Sequence, residues 1–429
     1  MPASPLFLIY FYLMNNDFIV KTHGFSGFGI APAIYDVLIK LHFTIPTPIQ
    51  QKAIPIAIEG KDVVGIAQTG TGKTLAFGIP MIQRLNQIKG RGLIILPTRE
   101  LALQVDESLC QVGSSLGLKT AVLIGGAPMG LQLRALDKNP HIIIATPGRL
   151  NDHLRQKTIR LDNVVIVVLD EADRMLDMGF APQIKTILQA VSPARQTMLF
   201  SATMPSEILN MAKMYMKLPI QIEVAPTGTT VEEVTQEIFI VQRHEKLSLT
   251  KKILEQYKGS ILIFTRTKHG AKKLNRAIQS LGYTASEIHS NRSLSQRKEA
   301  LRGFKMGKYR ILVATDVASR GIDVVGIELV INYDLPENSG DYVHRIGRTA
   351  RAGALGRAIS LVTPDQRGEL RDIERLVRKS IPISKTPELP PMPNRLIHQN
   401  RGVEGRGQNT VSKKKGHHRS FRFHRYGRF

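Results

Sequence analysis

Short β-branched and apolar runs alternate with longer amphipathic stretches along most of this chain, and the alternation occurs twice. The first series holds Val63 to Ile66, Leu93 to Leu96, Ile142 to Ala145, Val164 to Leu169 and Met198 to Phe200. The second restarts with Ile261 to Phe264, Ile311 to Ala314, Leu329 to Asn332 and Ile359 to Val362. Runs this short, apolar at every position and separated by helical periodicity, predict an α/β fold of parallel sheets with helices on both faces. A chain of 429 residues exceeds what one hydrophobic core supports, so two such domains in tandem are expected. The polar stretch Ala225 to Thr230, with its proline and glycine, separates the two series and suits a linker. The expected division is a leader at 1–24, a first domain at 25–224, a second at 225–382 and a tail at 383–429. Nothing before Phe25 fits the first domain, and Met14 is expected to be the true start.

The formal net charge is +24, which points to a polyanionic partner, because clustered Lys and Arg gain affinity by releasing counterions from phosphates. The charge is concentrated at the end: Arg395 to Phe429 holds ten Lys or Arg against one acid, Glu404. Before it, Pro387, Pro390, Pro391 and Pro393 interrupt any regular element, and the tail as a whole has too little apolar surface to order itself. Its Phe421, Phe423, Tyr426 and Phe429 interleave with Arg419, Arg422, Arg425 and Arg428, which suits single-stranded nucleic acid as well as a purely solubilising tail. Cys110 is the only cysteine, so intrachain disulfides and cysteine-rich zinc sites are excluded and a reducing cytoplasm is expected. The apolar run Leu6 to Met14 is nine residues long, too short to cross a bilayer about 30 Å thick, so no membrane association is expected.

After the first β-branched run comes Ala67-Gln68-Thr69-Gly70-Thr71-Gly72-Lys73-Thr74, followed by a helical pattern. A strand, a glycine-rich loop and a helix in that order form a phosphate cradle, whose glycines let backbone N–H groups approach the anion. Lys73 would reach the terminal phosphates and the Thr74 hydroxyl would hold Mg²⁺. Ala67 stands where the general pattern has its first glycine, and a glycine-rich turn without nucleotide is the alternative. Directly after Val164 to Leu169 stand Asp170-Glu171-Ala172-Asp173. Carboxylates at the carboxyl end of a parallel strand face the ligand crevice. Asp170 would hold Mg²⁺ through water, and Glu171 would orient or deprotonate an attacking water; acidic residues also simply favour a helix N-terminus.

With these motifs in order, the chain resembles the DEAD-box RNA helicases from about Phe25 to Pro382, and the resemblance implies two RecA-like domains. Phe25 and the stretch Phe43-Thr44-Ile45-Pro46-Thr47-Pro48-Ile49-Gln50 are similar to the family's adenine-recognising motif, in which Gln50 would bond the base edge and Phe43 would pack on its ring. By the same resemblance Pro97, Thr98, Arg99, Gly125, Gly126, Thr146, Pro147, Gly148 and Arg149 are RNA contacts of the first domain. In the second domain the RNA contacts would be Thr265, Arg266, Arg297, Thr315 and Asp316, with ordinary surface charge as the alternative for Arg266 and Arg297. Ser201 and Thr203, in Ser-Ala-Thr, would couple hydrolysis to unwinding together with His344. Arg348 and Arg351 would reach the γ-phosphate across the interdomain cleft, and Asp323 would lie near the ribose. Ala350, Leu294, His42 and Ser290 depart from the family's usual Gly, Gln, Gly and Gly.

The resemblance implies an ATP- and Mg²⁺-dependent enzyme that binds single-stranded and short duplex RNA, acts as a monomer in the cytoplasm, and works with ribosome-assembly or RNA-degradation proteins. Asp170 to Phe180 and the short basic tail look most like the bacterial RhlE-type branch. The competing readings are a DNA-acting motor of the same superfamily and an RNA-annealing chaperone that works through its tail.

Overall fold

The computed structural model describes residues 24–68, 70–224, 234–316, 324, 326–349 and 356–389. The described residues belong to one compact unit ending at Leu389, built on two sheets. The first sheet comprises β1 (Val63–Ile66), β2 (Arg91–Ile95), β3 (Thr120–Leu123), β4 (Ile142–Ala145), β5 (Val164–Leu169), β6 (Gln196–Ser201) and β7 (Ile220–Glu223), in the order β3-β4-β2-β5-β6-β1-β7. The second comprises β8 (Val234–Ile240), β9 (Ser260–Phe264), β10 (Ala285–Ile288), β11 (Ile311–Ala314), β12 (Ile327–Asn332), β13 (Gly356–Val362) and β14 (Ile383–Ser384), in the order β10-β11-β9-β12-β13-β8-β14. Numbered from its own first strand, each order reads 3-4-2-5-6-1-7, so the doubled sequence pattern is a doubled topology. The pairings are parallel throughout, and the chain folds as the two tandem RecA-like domains expected.

Alternate side chains of the central strands feed apolar clusters on opposite faces. In β4, Ile142 and Ile144 enter one cluster while Ile143 and Ala145 enter the other. In β9, Leu262 and Phe264 divide from Ile261 and Ile263 in the same way. The strands that the apolar runs do not predict are β3, β7, β8, β10 and β14. Four of them are sheet edges and β8 lies next to an edge, where one face is wet and the sequence mixes polar residues in, as in Ile-Gln-Ile-Glu of β7.

One boundary is corrected. The expected tail begins at 383, but Ile383–Ser384 pairs with β8, and the chain beyond it is tied down: Thr386 Oγ1 donates to Ile240 O at 3.1 Å and Lys252 Nζ to Glu388 O at 3.0 Å. A two-residue strand beside Pro382 carries no periodicity, and proline is tolerated at a sheet edge. The leader up to His23, the linker at 225–233 and the basic stretch from Pro390 onward lie outside the described residues.

Candidate functional site

The carboxyl ends of β1, β5 and β6 bring the phosphate loop, the acidic motif and Ser201 together. Ala67 N donates to Ser201 O at 2.9 Å, which ties the loop to β6. Gly70 and Gly72 have φ of 85° and 87°, a left-handed conformation that glycine adopts without strain. A Cβ on Gly72 would also collide with Gln50 Nε2. Gln50 is buried; its Nε2 donates to Gly72 O at 3.0 Å, and its Oε1 accepts from Thr47 N at 2.9 Å. The amide expected to read the base therefore buttresses the phosphate loop in this arrangement. Phe43 is 37% exposed and has a ring face to offer, but Phe25 is 2% exposed and packs edge-on to Phe28 with ring centres 5.9 Å apart. Phe25 is thus a core residue in this arrangement, with no ring face exposed.

Lys73, at the start of helix Lys73–Gln87, is buried, donates from Nζ to Ala67 O at 2.9 Å and lies 3.9 Å from Asp170 Oδ1. Burial pushes the Asp170 carboxyl up to about 6, against the pull of Lys73. Glu171 has φ of 51°, costly for a side-chain-bearing residue. Burial alone would raise its carboxyl too, but Arg174, Lys73 and Arg348 outweigh that and hold it down to about 2. Arg174 Nη1 donates to Glu171 Oε2 at 3.1 Å. Asp173 joins this motif to Ser201-Ala202-Thr203: its Oδ2 accepts from Ala202 N at 3.1 Å, Thr203 N at 2.8 Å and Thr203 Oγ1 at 2.9 Å. Its own N–H donates to Ser201 Oγ at 3.3 Å.

The second lobe meets this surface through helix Ser339–Ile346 and the turn after it. Asp341 Oδ1 lies 3.9 Å from Arg174 Nη2. His344 is pushed down to about 4, first by burial and then by Arg174, so it is neutral near pH 7. Arg348 is 3% exposed, donates from Nε to His344 O at 3.2 Å, and contributes to the field on Glu171. A small polar cavity lined by Arg174, Asp341, His344, Arg345 and Arg348 sits on this boundary. Arg345, 1% exposed, grips Asp316 with Nε and Nη2 at 2.6 and 2.7 Å, donates to Asn332 Oδ1 and Asp334 O, and stacks on Phe264.

Two helix N-termini form the expected RNA side of the first lobe. Thr98 caps helix Arg99–Gly113 by accepting from Leu101 N at 3.3 Å, and Thr146 and Pro147 open helix Pro147–Arg155. Exposed backbone N–H groups and the helix dipole favour phosphate at such ends. Pro97, Thr98, Thr146 and Pro147 are buried, Gly148, Arg99 and Arg149 half-buried, and Gly126 exposed. Arg149 Nη1 donates to Ala127 O at 3.0 Å, and the Arg99 guanidinium lies against Gly125 and Gly126.

Several second-lobe expectations change. Thr265 is fully buried, its Oγ1 donating to Thr267 O at 3.3 Å. Arg266 pairs with Glu369 at 2.7 Å in this structure. Arg297 is buried and pairs across the lobes with Glu100 at 2.6 Å, and the Asp316 carboxylate is committed to Arg345. For the three charged residues the cause is one: a poorly solvated charge is cheaper paired than left unsatisfied. Thr315 is buried at the end of β11. Thr69, Asp323, Ala350 and Arg351 lie outside the described residues. Sequence alone assigns no role to Asp173, Arg174, Arg345 or Glu100; hydrogen-bond and ion-pair geometry reveals their work.

Residues 47–211 match the family described as DEAD/DEAH box helicase, and residues 245–353 match the helicase conserved C-terminal domain. The chain belongs to the DEAD-box ATP-dependent RNA helicases. It is 41% identical over 395 residues to the DEAD-box ATP-dependent RNA helicase CshA of Bacillus subtilis, covering 91% of this chain and 78% of that protein. Among solved structures it resembles S. cerevisiae Dbp5 bound to RNA and ADP BeF3, with a TM-score of 0.75 at 28% identity, covering 84% of this chain and 95% of that one. A DEAD box protein from Methanococcus jannaschii is 40% identical, covering 85% and 99% of the two chains, with a TM-score of 0.51.

Proposed function

We propose that the chain binds ATP and RNA across the cleft between its lobes, hydrolyses ATP only when the lobes meet, and uses that closure to separate short RNA duplexes or displace bound protein. The observation that carries this reading is that Arg348 and His344 of the second lobe stand beside Glu171, Asp173 and Arg174 of the first. The greater likeness to an RNA- and nucleotide-bound relative than to a more identical one supports a closed arrangement of the lobes. The domain division we propose keeps 25–224 as the first working half, extends the second from 225–382 to Leu389, and leaves 1–24 as a leader and the basic stretch after Leu389 as an RNA-attracting tail.

In this reading Gly70 to Gly72 and Lys73 hold the phosphates, Thr69 completes the loop, and Phe43 and Gln50 place the base, with Asp323 near the ribose. Thr74 and Asp170 fit Mg²⁺: burial pushes the Asp170 carboxyl up to about 6 despite Lys73, and a divalent ion would offset that cost of desolvation. When bound, that ion neutralises charge on the β- and γ-phosphates. Glu171 orients or deprotonates the attacking water: three cations hold its carboxyl down to about 2 in the nucleotide-free site, and approach of the γ-phosphate brings its basicity back toward the ordinary range. Arg348, with Arg351, stabilises charge on the transferring group. Asp173 transmits the state of the site to Ser201 and Thr203. The helix N-termini at Thr98 and Thr146, with Arg99, Gly126 and Arg149, hold sugar-phosphate without reading bases.

RNA-stimulated ATPase tests the reading directly. RNA should accelerate turnover and single-stranded DNA should not; equal stimulation would favour a DNA motor, and RNA annealing lost on deletion after Leu389 with ATPase intact would favour a chaperone. The proposed setting is a cytoplasmic monomer working with ribosome-assembly or RNA-degradation proteins. No helix among the described residues is long and apolar enough to cross a membrane. An RhlE-type branch gains no support from the relative quoted above, which is named CshA.

A further inference from the structure

Leu294 opens helix Leu294–Lys305 of the second lobe, yet its side chain packs against an apolar cluster of the first lobe that contains Ile94 of β2, Ile144 of β4 and Phe200 of β6. Arg297, one turn on and on the same helical face, forms the buried pair with Glu100 of the first lobe at 2.6 Å, with side-chain exposures of 7% and 6%. The helix end that carries both residues is fixed by a reciprocal cap: Gln296 N donates to Ser293 Oγ at 3.3 Å and Ser293 N to Gln296 Oε1 at 3.0 Å. The seam therefore presents one apolar and one ionic contact from a rigid turn. The two differ physically. Burying a leucine is favourable by itself, whereas burying an ion pair is roughly neutral because desolvation offsets the attraction.

We propose that Leu294 is a positioning residue for lobe closure, supplying the apolar contact that favours the closed state on the RNA side, while Glu100–Arg297 sets its register. The proposal rests on the reading that RNA acts through closure. A contact made only between closed lobes strengthens apparent RNA affinity and leaves turnover of the closed enzyme alone.

The test is ATPase of the full-length protein at saturating ATP, titrated with oligouridylate, for wild type and the Leu294→Ala, Leu294→Gln and Leu294→Met variants. Ala and Gln should raise the half-saturating RNA concentration about fivefold, equivalent to about 1 kcal/mol, with kcat at saturating RNA unchanged. Met should restore most of the affinity. Melting temperature should stay within experimental scatter of wild type. An unchanged half-saturating concentration in Leu294→Ala, or a loss of kcat accompanied by a lowered melting temperature, would overturn the proposal. Wild-type ATPase indifferent to oligouridylate would instead defeat the functional reading on which it rests.

Discussion

Replacing Asp170 with Asn should stabilise the nucleotide-free protein while ending ATP turnover. Asn imitates the protonated carboxyl, which the buried site prefers. The gap between the ordinary Asp value of 3.8 and about 6 corresponds, at about 1.36 kcal/mol per pH unit, to about 3 kcal/mol. The sign follows from the folded value lying above the unfolded one. Ionising Asp170 costs folding free energy; that cost is complete above about pH 6, roughly half remains at pH 5, and it vanishes below about pH 4. The pull of Lys73 is already contained in the raised value. The assay is thermal melting of wild type and Asp170→Asn without nucleotide or magnesium at pH 8 and pH 5, alongside RNA-stimulated ATPase. The first lobe of the variant should melt about 6 to 12 °C higher at pH 8, with the difference shrinking toward pH 5. Equal or lower melting at pH 8, or a difference that ignores pH, would refute the argument.

Lys73→Ala and Glu171→Gln should both bring RNA-stimulated ATPase near background, with Glu171→Gln still binding ATP in a fluorescent-nucleotide titration. Asp173→Asn should lose about 1 to 3 kcal/mol, because an amide in place of the carboxylate leaves either the N–H groups of Ala202 and Thr203 or that of Arg174 facing another donor; unwinding of a short duplex should fall more than ATPase. Arg345→Met removes one side of a buried pair and should lower second-lobe stability by about 3 to 5 kcal/mol, read as an earlier melting transition.

The central strands of both lobes were legible because β4, β5 and β11 are apolar along their length and β9 at all but its first residue, Ser260, a composition that only a doubly covered sheet requires. The edge strands were not, because their wet faces interrupt the pattern. The phosphate loop and the acidic motif were legible because their chemistry lies in contiguous residues. The second-lobe RNA list was less so: whether Arg266, Arg297 or Asp316 faces a ligand depends on Glu369, Glu100 and Arg345, which are distant in sequence and identifiable only from geometry. Phe25 shows the same limit, since an aromatic residue before the phosphate loop can serve the core as well as a ligand, and only packing shows that it is buried against Phe28.

The claim that one active site is assembled from two lobes is tested most directly by Arg348→Ala in the full-length protein, read as ATP affinity and RNA-stimulated ATPase side by side. ATP should still bind, because its cradle belongs to the first lobe, while turnover should fall about 10³- to 10⁵-fold. Turnover within severalfold of wild type, in this variant and with Arg351 also replaced by alanine, would show that the first lobe completes the chemistry by itself.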